Sequence, residues 1–120
     1  MSTQAFTERF NKTLFAFFKQ IIAIYPDVKE FKSLRAQLRM ALTANNSLAI
    51  THFHQQLVLK YKQQILKQDE SFFLDFDLSG TVLADLNHLK NVYIGSSDST
   101  KQAIWKYVKV LTLLSSKVMS

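Results

Sequence analysis

The sequence predicts an all-α fold, a compact bundle of four long helices plus one or two short helical segments. Two observations predict it. Only two glycines and one proline occur in 120 residues, where average composition would supply about 8 and 6, and hairpins and tight strand turns depend on those residues. Apolar residues also recur at spacings of three and four along most of the chain, which is the helical period. Breaks fall at Pro26, at Asn45-Asn46, from Asp75 to Gly80 and from Gly95 to Ser99.

The first helix is expected from Thr3 to Tyr25. Phe6, Phe10, Leu14, Phe17, Phe18, Ile21 and Tyr25 form one face. Phe15, Ile22 and Ile24 widen it, which marks a central helix, and Pro26 stops it. Asp27 and Glu30 make a capping-box pair for the second helix, whose stripe is Val28, Phe31, Leu34, Leu38, Ala41 and Leu42. Asn46 or Ser47 caps the third, with Ile50, Phe53, Leu57, Tyr61 and Ile65 inward and an end near Lys67. Asp69 to Leu74 reads either as a short helix or as a short strand that plugs Phe72, Phe73 and Leu74 into the core. Gly80 marks a turn, and a helix from Val82 to Val92 follows. Ser99 and Gln102 form a second capping box. The last helix then runs to about Lys117 with Ile104, Tyr107, Val108, Leu111, Leu114 and Val118 on one face.

The length fits a single domain over residues 1–120. Hydrophobic residues at 48% can fill a core, and ten phenylalanines make that core bulky. No apolar run approaches the roughly 18 residues of a membrane span. The absence of cysteine excludes disulfides, thiolate metal sites and thiol nucleophiles. No basic-then-apolar leader opens the chain, so an intracellular rather than a secreted protein is expected. Asn11-Lys12-Thr13 and Asn45-Asn46-Ser47, which match the glycosylation acceptor, are read as chance. Charge is segregated. Residues 1–68 carry ten basic and three acidic groups, residues 69–98 one and six, and residues 99–120 four and none. An acidic centre between basic flanks can close on itself or present opposite patches to partners.

Candidate sites are few. Asp75-Phe76-Asp77-Leu78-Ser79-Gly80 resembles the start of a calcium loop, but the positions that should carry the ninth and twelfth ligands are Leu83 and Leu86. The expected structure is a polar turn in which Asp77 or Ser79 caps the next helix. The same stretch lacks the adjacent Gly and Thr that an aspartate-nucleophile phosphatase motif requires. His52 and His54 diverge by about 200° on a helix, and His88 is isolated, so all three are expected to be partly exposed, with no metal or other cofactor. Lys32, Arg35 and Arg39 line one side of the second helix. Lys60 and Lys67 share a side of the third, and Lys106, Lys109 and Lys117 decorate the last. Such residues can bind phosphates without sequence preference, although lysines on helices ordinarily serve solvation. Trp105 lies about 100° from Ile104 around its helix. It either extends the core or stands exposed as a protein-interface anchor.

Several blocks carry a resemblance. Phe10-Asn11-Lys12-Thr13-Leu14 opens a helix that ends in Tyr25-Pro26-Asp27. Asp69-Glu70-Ser71-Phe72-Phe73-Leu74 follows, and then Ile104-Trp105-Lys106-Tyr107 with Leu111. In this order the chain resembles a family of small helical proteins encoded by large nucleocytoplasmic DNA viruses of eukaryotes. The resemblance covers most of the chain on short, apolar motifs and implies no known activity. It implies a protein made in the cytoplasm or nucleus of an infected host cell, with packaging in the virion as an extension of that context. Phe10, Phe72, Phe73, Trp105 and Tyr107 then read as packing residues.

The expected function is a non-enzymatic helical module that works through a protein partner or self-association, as a virion or assembly component. No small-molecule substrate is evident. The alternative is sequence-independent nucleic-acid binding through the basic helix faces.

Overall fold

The computed structural model describes residues 2–119. Helix α1 (Thr3–Ile24) starts where the Ser2 hydroxyl accepts the Ala5 N–H at 3.1 Å, a side-chain N-cap. Its expected face is the core face. Phe10, Leu14, Phe17, Phe18 and Ile21 are buried, and Phe6 and Tyr25 are half-buried at its ends. Pro26 ends it by occupying the second position of a turn closed by Val28 N–H on the Tyr25 carbonyl at 3.1 Å. That turn uses up Asp27. Helix α2 (Lys29–Ala44) therefore starts after Val28 with no side-chain cap, and the expected Asp27–Glu30 capping box does not form. Phe31, Leu34 and Leu38 are its buried residues.

Asn45 Oδ1 accepts both the N–H and the hydroxyl of Ser47, so the α2–α3 turn is braced by Asn45 and Ser47 gives the next helix no side-chain cap. Asn11 Nδ2 ties this turn to α1 by donating to the Asn46 carbonyl at 2.8 Å. A helical run follows, comprising α3 (Leu48–Phe53), a π turn (His54–Val58) and α4 (Leu59–Leu66), with a kink at Tyr61, where φ is −133° and ψ is 19°. Ile50, Phe53, Leu57 and Ile65 are buried as their spacing predicts. The run ends in a Schellman motif. Asp69 N–H reaches the Gln64 carbonyl at 2.9 Å and Gln68 N–H reaches Ile65 at 3.1 Å, which puts Gln68 in the left-handed region at φ 54°.

Between Asp69 and Leu74 the helix prevails over the strand, as the single turn α5 (Phe72–Asp75). The expected helix over Val82 to Val92 is a 3₁₀ turn (Ala84–His88) leading into α6 (Leu89–Val92). The Thr81 hydroxyl takes the Leu83 N–H, and Leu86 N–H closes on the Leu83 carbonyl, so the segment tightens to the three-residue period. Helix α7 (Asp98–Met119) starts one residue before the expected cap. Ser97, not Ser99, caps it, its hydroxyl accepting Thr100 N–H at 3.2 Å.

These elements form an all-α bundle. Helix α1 is central and packs along α7 on one side and against α2 and α3 on the other. Helix α7 also meets α3, the π turn and α4, while α2 packs on α1, α3 and the 3₁₀ turn but not on α7. The Cα radius of gyration of 13.4 Å is close to the ~13.6 Å of a compact chain of this length. Among the described residues no helix is long and apolar enough to cross a membrane.

Residues 69–98 fold as a lid of rings over one flank of α7. Phe73 stacks on Tyr93 at 3.9 Å between centroids, Phe72 stacks on Phe76 at 5.0 Å, and Trp105 meets Phe73 edge-on at 5.0 Å. Trp105 is 2% exposed, and its Nε1–H donates to Tyr93 Oη at 2.6 Å. Trp105 is thus part of the aromatic core, extending it as the first alternative expected, and the alternative of an exposed interface anchor is corrected. Periodicity places it off the main stripe, but the lid supplies a second surface for that flank to bury. Burial also pushes the Tyr93 hydroxyl above its ordinary pKa. Beneath the lid lies an internal void of about 20 Å³ lined by Phe17, Leu57, Phe73, Leu111 and other apolar side chains. Its volume matches one water but its walls offer no polar partner, so it is dry packing space rather than a ligand site.

Candidate interaction surface

Helices α4 and α7 run side by side in opposite directions. Gln68, just past the end of α4, sits with Gln102, Lys106, Lys109, Val110 and Leu113 of α7. Val58, Leu59 and Lys62 sit with Ser116 and Met119 near its end. Both depressions lie along the seam where α4 meets α7, and this seam is termed the furrow. Its apolar groups are solvent-facing. Leu59 is 69% exposed and Leu113 is 52% exposed, and Val110 and Leu66 are also exposed. The helical period explains this. Gln102, Lys106, Lys109, Val110 and Leu113 lie on the side of α7 opposite the one that packs on α1.

The furrow is electrostatically one-sided. No Asp or Glu occurs from residue 31 to 68 or from 99 to 120. Among the described residues the lysine–carboxylate pair within 4.0 Å is Lys101–Glu70, at 3.4 Å, so Lys62, Lys106 and Lys109 have no acidic partner there. The Ser116 hydroxyl is buried without a hydrogen-bond partner among the described residues.

The acidic segment also borders α4. Tyr61 Oη on α4 donates to the Asp75 carbonyl at 3.2 Å. Leu74 is 63% exposed beside exposed Asp75 and Asp77, while Phe76 between them turns inward. The result is a short acidic ridge with an aliphatic tip. Its rigidity comes from polar stapling. Asp77 Oδ1 accepts Ser79 N–H at 2.9 Å and Asn87 Nδ2 at 3.1 Å, while Leu78 N–H donates to Asn87 Oδ1 at 2.8 Å. Lys90 Nζ donates to the Phe76 carbonyl at 2.7 Å. Gly80, at φ 78°, makes the turn that follows. Hydrogen bonds from Ser79 hold the exposed Asp77 carboxyl below its usual pKa, and the Ser71 N–H does the same for Asp69. Asp77 therefore staples its own turn instead of capping the following helix, whose first turn has no side-chain cap.

The basic residues singled out from the sequence fall on two separate surfaces. Lys32, Arg35 and Arg39 are on α2, where the Arg39 guanidinium lies 5.6 Å over the Phe15 ring. Lys60, Lys67, Lys106 and Lys109 belong to the α4–α7 side, and Lys60 donates to Gln56 at 3.0 Å. Because α2 does not touch α7, the structure does not gather them into one face. Lys117 lies 5.5 Å over the Phe6 ring.

Both neighbouring histidines hold the structure together; His52 is partly exposed as expected, while His54 is buried, which corrects the expectation for that ring. His52 Nδ1 accepts Val82 N–H at 3.1 Å and so anchors the lid to α3. His54 is buried, with Nδ1 3.2 Å from Ser115 Oγ. The Ser115 hydroxyl proton goes to the Thr112 carbonyl, so Nδ1 carries the hydrogen and donates. Burial, and then the charge of Lys62, depress the His54 pKa. Its burial was readable, since His54 stands four residues after Ile50 and three before Leu57 on the same stripe. Among the described residues, no three His, Asp or Glu side chains gather in a group able to hold a metal.

Comparison with family models, with curated proteins and with solved structures finds no match to this chain.

Proposed function

We propose that this chain is a non-enzymatic protein-interaction module, a virion or assembly component of a large DNA virus that acts inside the infected host cell. The observation that carries the interaction reading is the α4–α7 furrow, where exposed aliphatic side chains lie among lysines that have no acidic partner among the described residues. Residues able to do chemistry are spent on structure. His52 holds the lid, His54 holds α7, and Asp77 holds its own turn. The viral part of the reading rests on the ordered blocks from Phe10 to Leu111.

Among the described residues, the exposed large hydrophobic side chains are all aliphatic, namely Met40, Leu59, Leu66, Leu74, Ile94, Val110 and Leu113. Nucleic-acid binding without sequence preference relies on phosphate contacts and, for single strands, on aromatic rings that stack on bases. Aliphatic groups between the lysines suit a protein surface better. The test is light scattering after size exclusion, with and without a mixed-sequence duplex, at low and moderate salt. The proposal expects protein–protein association and no co-elution with the duplex. A monomer that moves onto the duplex and leaves it as salt rises overturns it.

A further inference from the structure

We infer that a second copy of this chain occupies the α4–α7 furrow, inserting its Leu74–Asp77 ridge so that Asp75 and Asp77 face Lys106 and Lys109. This deepens the interaction-module reading and rests on it. The complement to the furrow is present on the chain itself. The furrow offers Val110 and Leu113 flanked by Lys106 and Lys109, and the ridge offers exposed Leu74 flanked by Asp75 and Asp77.

Position supports the pairing. Both surfaces border α4, the furrow through its contact with α7 and the ridge through the Tyr61–Asp75 hydrogen bond. Two copies related by a two-fold axis can therefore exchange ridge for furrow twice, and the contact closes as a dimer. Within one copy, among the described residues, neither Asp75 nor Asp77 has a lysine within 4.0 Å, so the ridge does not fill its own furrow. The lid also holds the ridge in place before contact, through Asn87, Lys90 and Tyr61. Little ordering entropy is then lost on docking. The apolar part is small, so charge carries much of the specificity, and association weakens as salt rises.

Charge reversal tests this. Lys106→Glu/Lys109→Glu reverses the furrow, and Asp75→Lys/Asp77→Lys reverses the ridge. Because Asp77 staples a turn, Asp75→Lys alone is the second ridge variant, and circular dichroism checks that each protein is folded. Sedimentation velocity at low salt is expected to show wild-type dimers, with each reversed variant alone weakened by about tenfold or more. An equimolar mixture of furrow-reversed and ridge-reversed chains should dimerise again, since each reversed surface then meets its complement. Wild-type dimers that both folded variants retain would overturn the docking while leaving the interaction module in place. A wild-type chain that stays monomeric at every concentration would overturn the docking directly. If that monomer also moves onto a duplex, the module reading fails with it.

Discussion

Replacing Tyr93 with Phe removes one buried oxygen and keeps the ring that stacks on Phe73 at 3.9 Å. The lost oxygen is the acceptor for Trp105 Nε1–H at 2.6 Å, in a site where Tyr93 is 1% and Trp105 is 2% exposed. The indole N–H is left buried without a partner, which costs about 1–3 kcal/mol. Unfolding entropy of about 2.1 cal/mol/K per residue makes 1 kcal/mol worth roughly 4 °C in a chain of this size, so Tm should fall by about 4–12 °C. Trp105→Phe orphans the Tyr93 hydroxyl and leaves space beside Phe72 and Phe73, for a loss of about 2–4 kcal/mol. The double variant leaves neither polar atom stranded. Its loss should fall short of the sum of the single losses by about 1–2 kcal/mol. Urea unfolding of all four proteins, followed by far-ultraviolet circular dichroism, gives the coupling. A neutral Tyr93→Phe, or losses that add within about 0.5 kcal/mol, would refute the reasoning.

Other predictions follow from local geometry. Gln68→Gly should stabilise the fold by about 0.5–1 kcal/mol, because Gln68 holds the left-handed position of a Schellman motif at φ 54°; a loss of stability in urea would contradict this. Gly80→Ala should destabilise by about 1–2 kcal/mol through its φ of 78° alone, since an added Cβ meets nothing within 4 Å; unchanged stability would count against it. The folded-state pKa of His54 is depressed, so the unfolded chain binds more protons. Its contribution to stability is present above the ordinary histidine value of 6.5 and is lost as pH falls below it toward the folded value. Unfolding measured from neutral pH down to pH near 5 should show a shallower loss in His54→Gln than in wild type, and parallel curves would refute the assignment.

Much of the fold is legible because long stripes such as Phe10 to Ile21 and Ile104 to Leu114 are buried by any helical packing. Pro26 is equally legible as a stop. The caps were misplaced where a local competitor took the residue. The Pro26 turn claimed Asp27, the Asn45 side chain claimed Ser47, and Ser97 captured α7 ahead of Ser99. Trp105 could not be placed from periodicity alone, because its burial depends on lid rings, Phe72, Phe73 and Tyr93, that lie at least 12 residues upstream in sequence. The furrow was only half visible. Lys106 and Lys109 were identifiable as exposed, but their neighbour Gln68 reaches them only through the packing of α4 on α7. The acidic centre was visible as charge, while the ridge exists because Phe76 turns inward and leaves Leu74, Asp75 and Asp77 outside.

The central claim is that lysines of one copy meet carboxylates of another. Zero-length carbodiimide cross-linking, which joins only amines and carboxyls already in contact, tests it on an equal mixture of isotope-labelled and unlabelled chains. Peptides joining the two labels identify contacts between copies. The account predicts mixed-label links from Lys106 or Lys109 to Asp75 or Asp77 that disappear at high salt. Mixed-label links confined to other surfaces, or none at a concentration where the chain is associated, would contradict it.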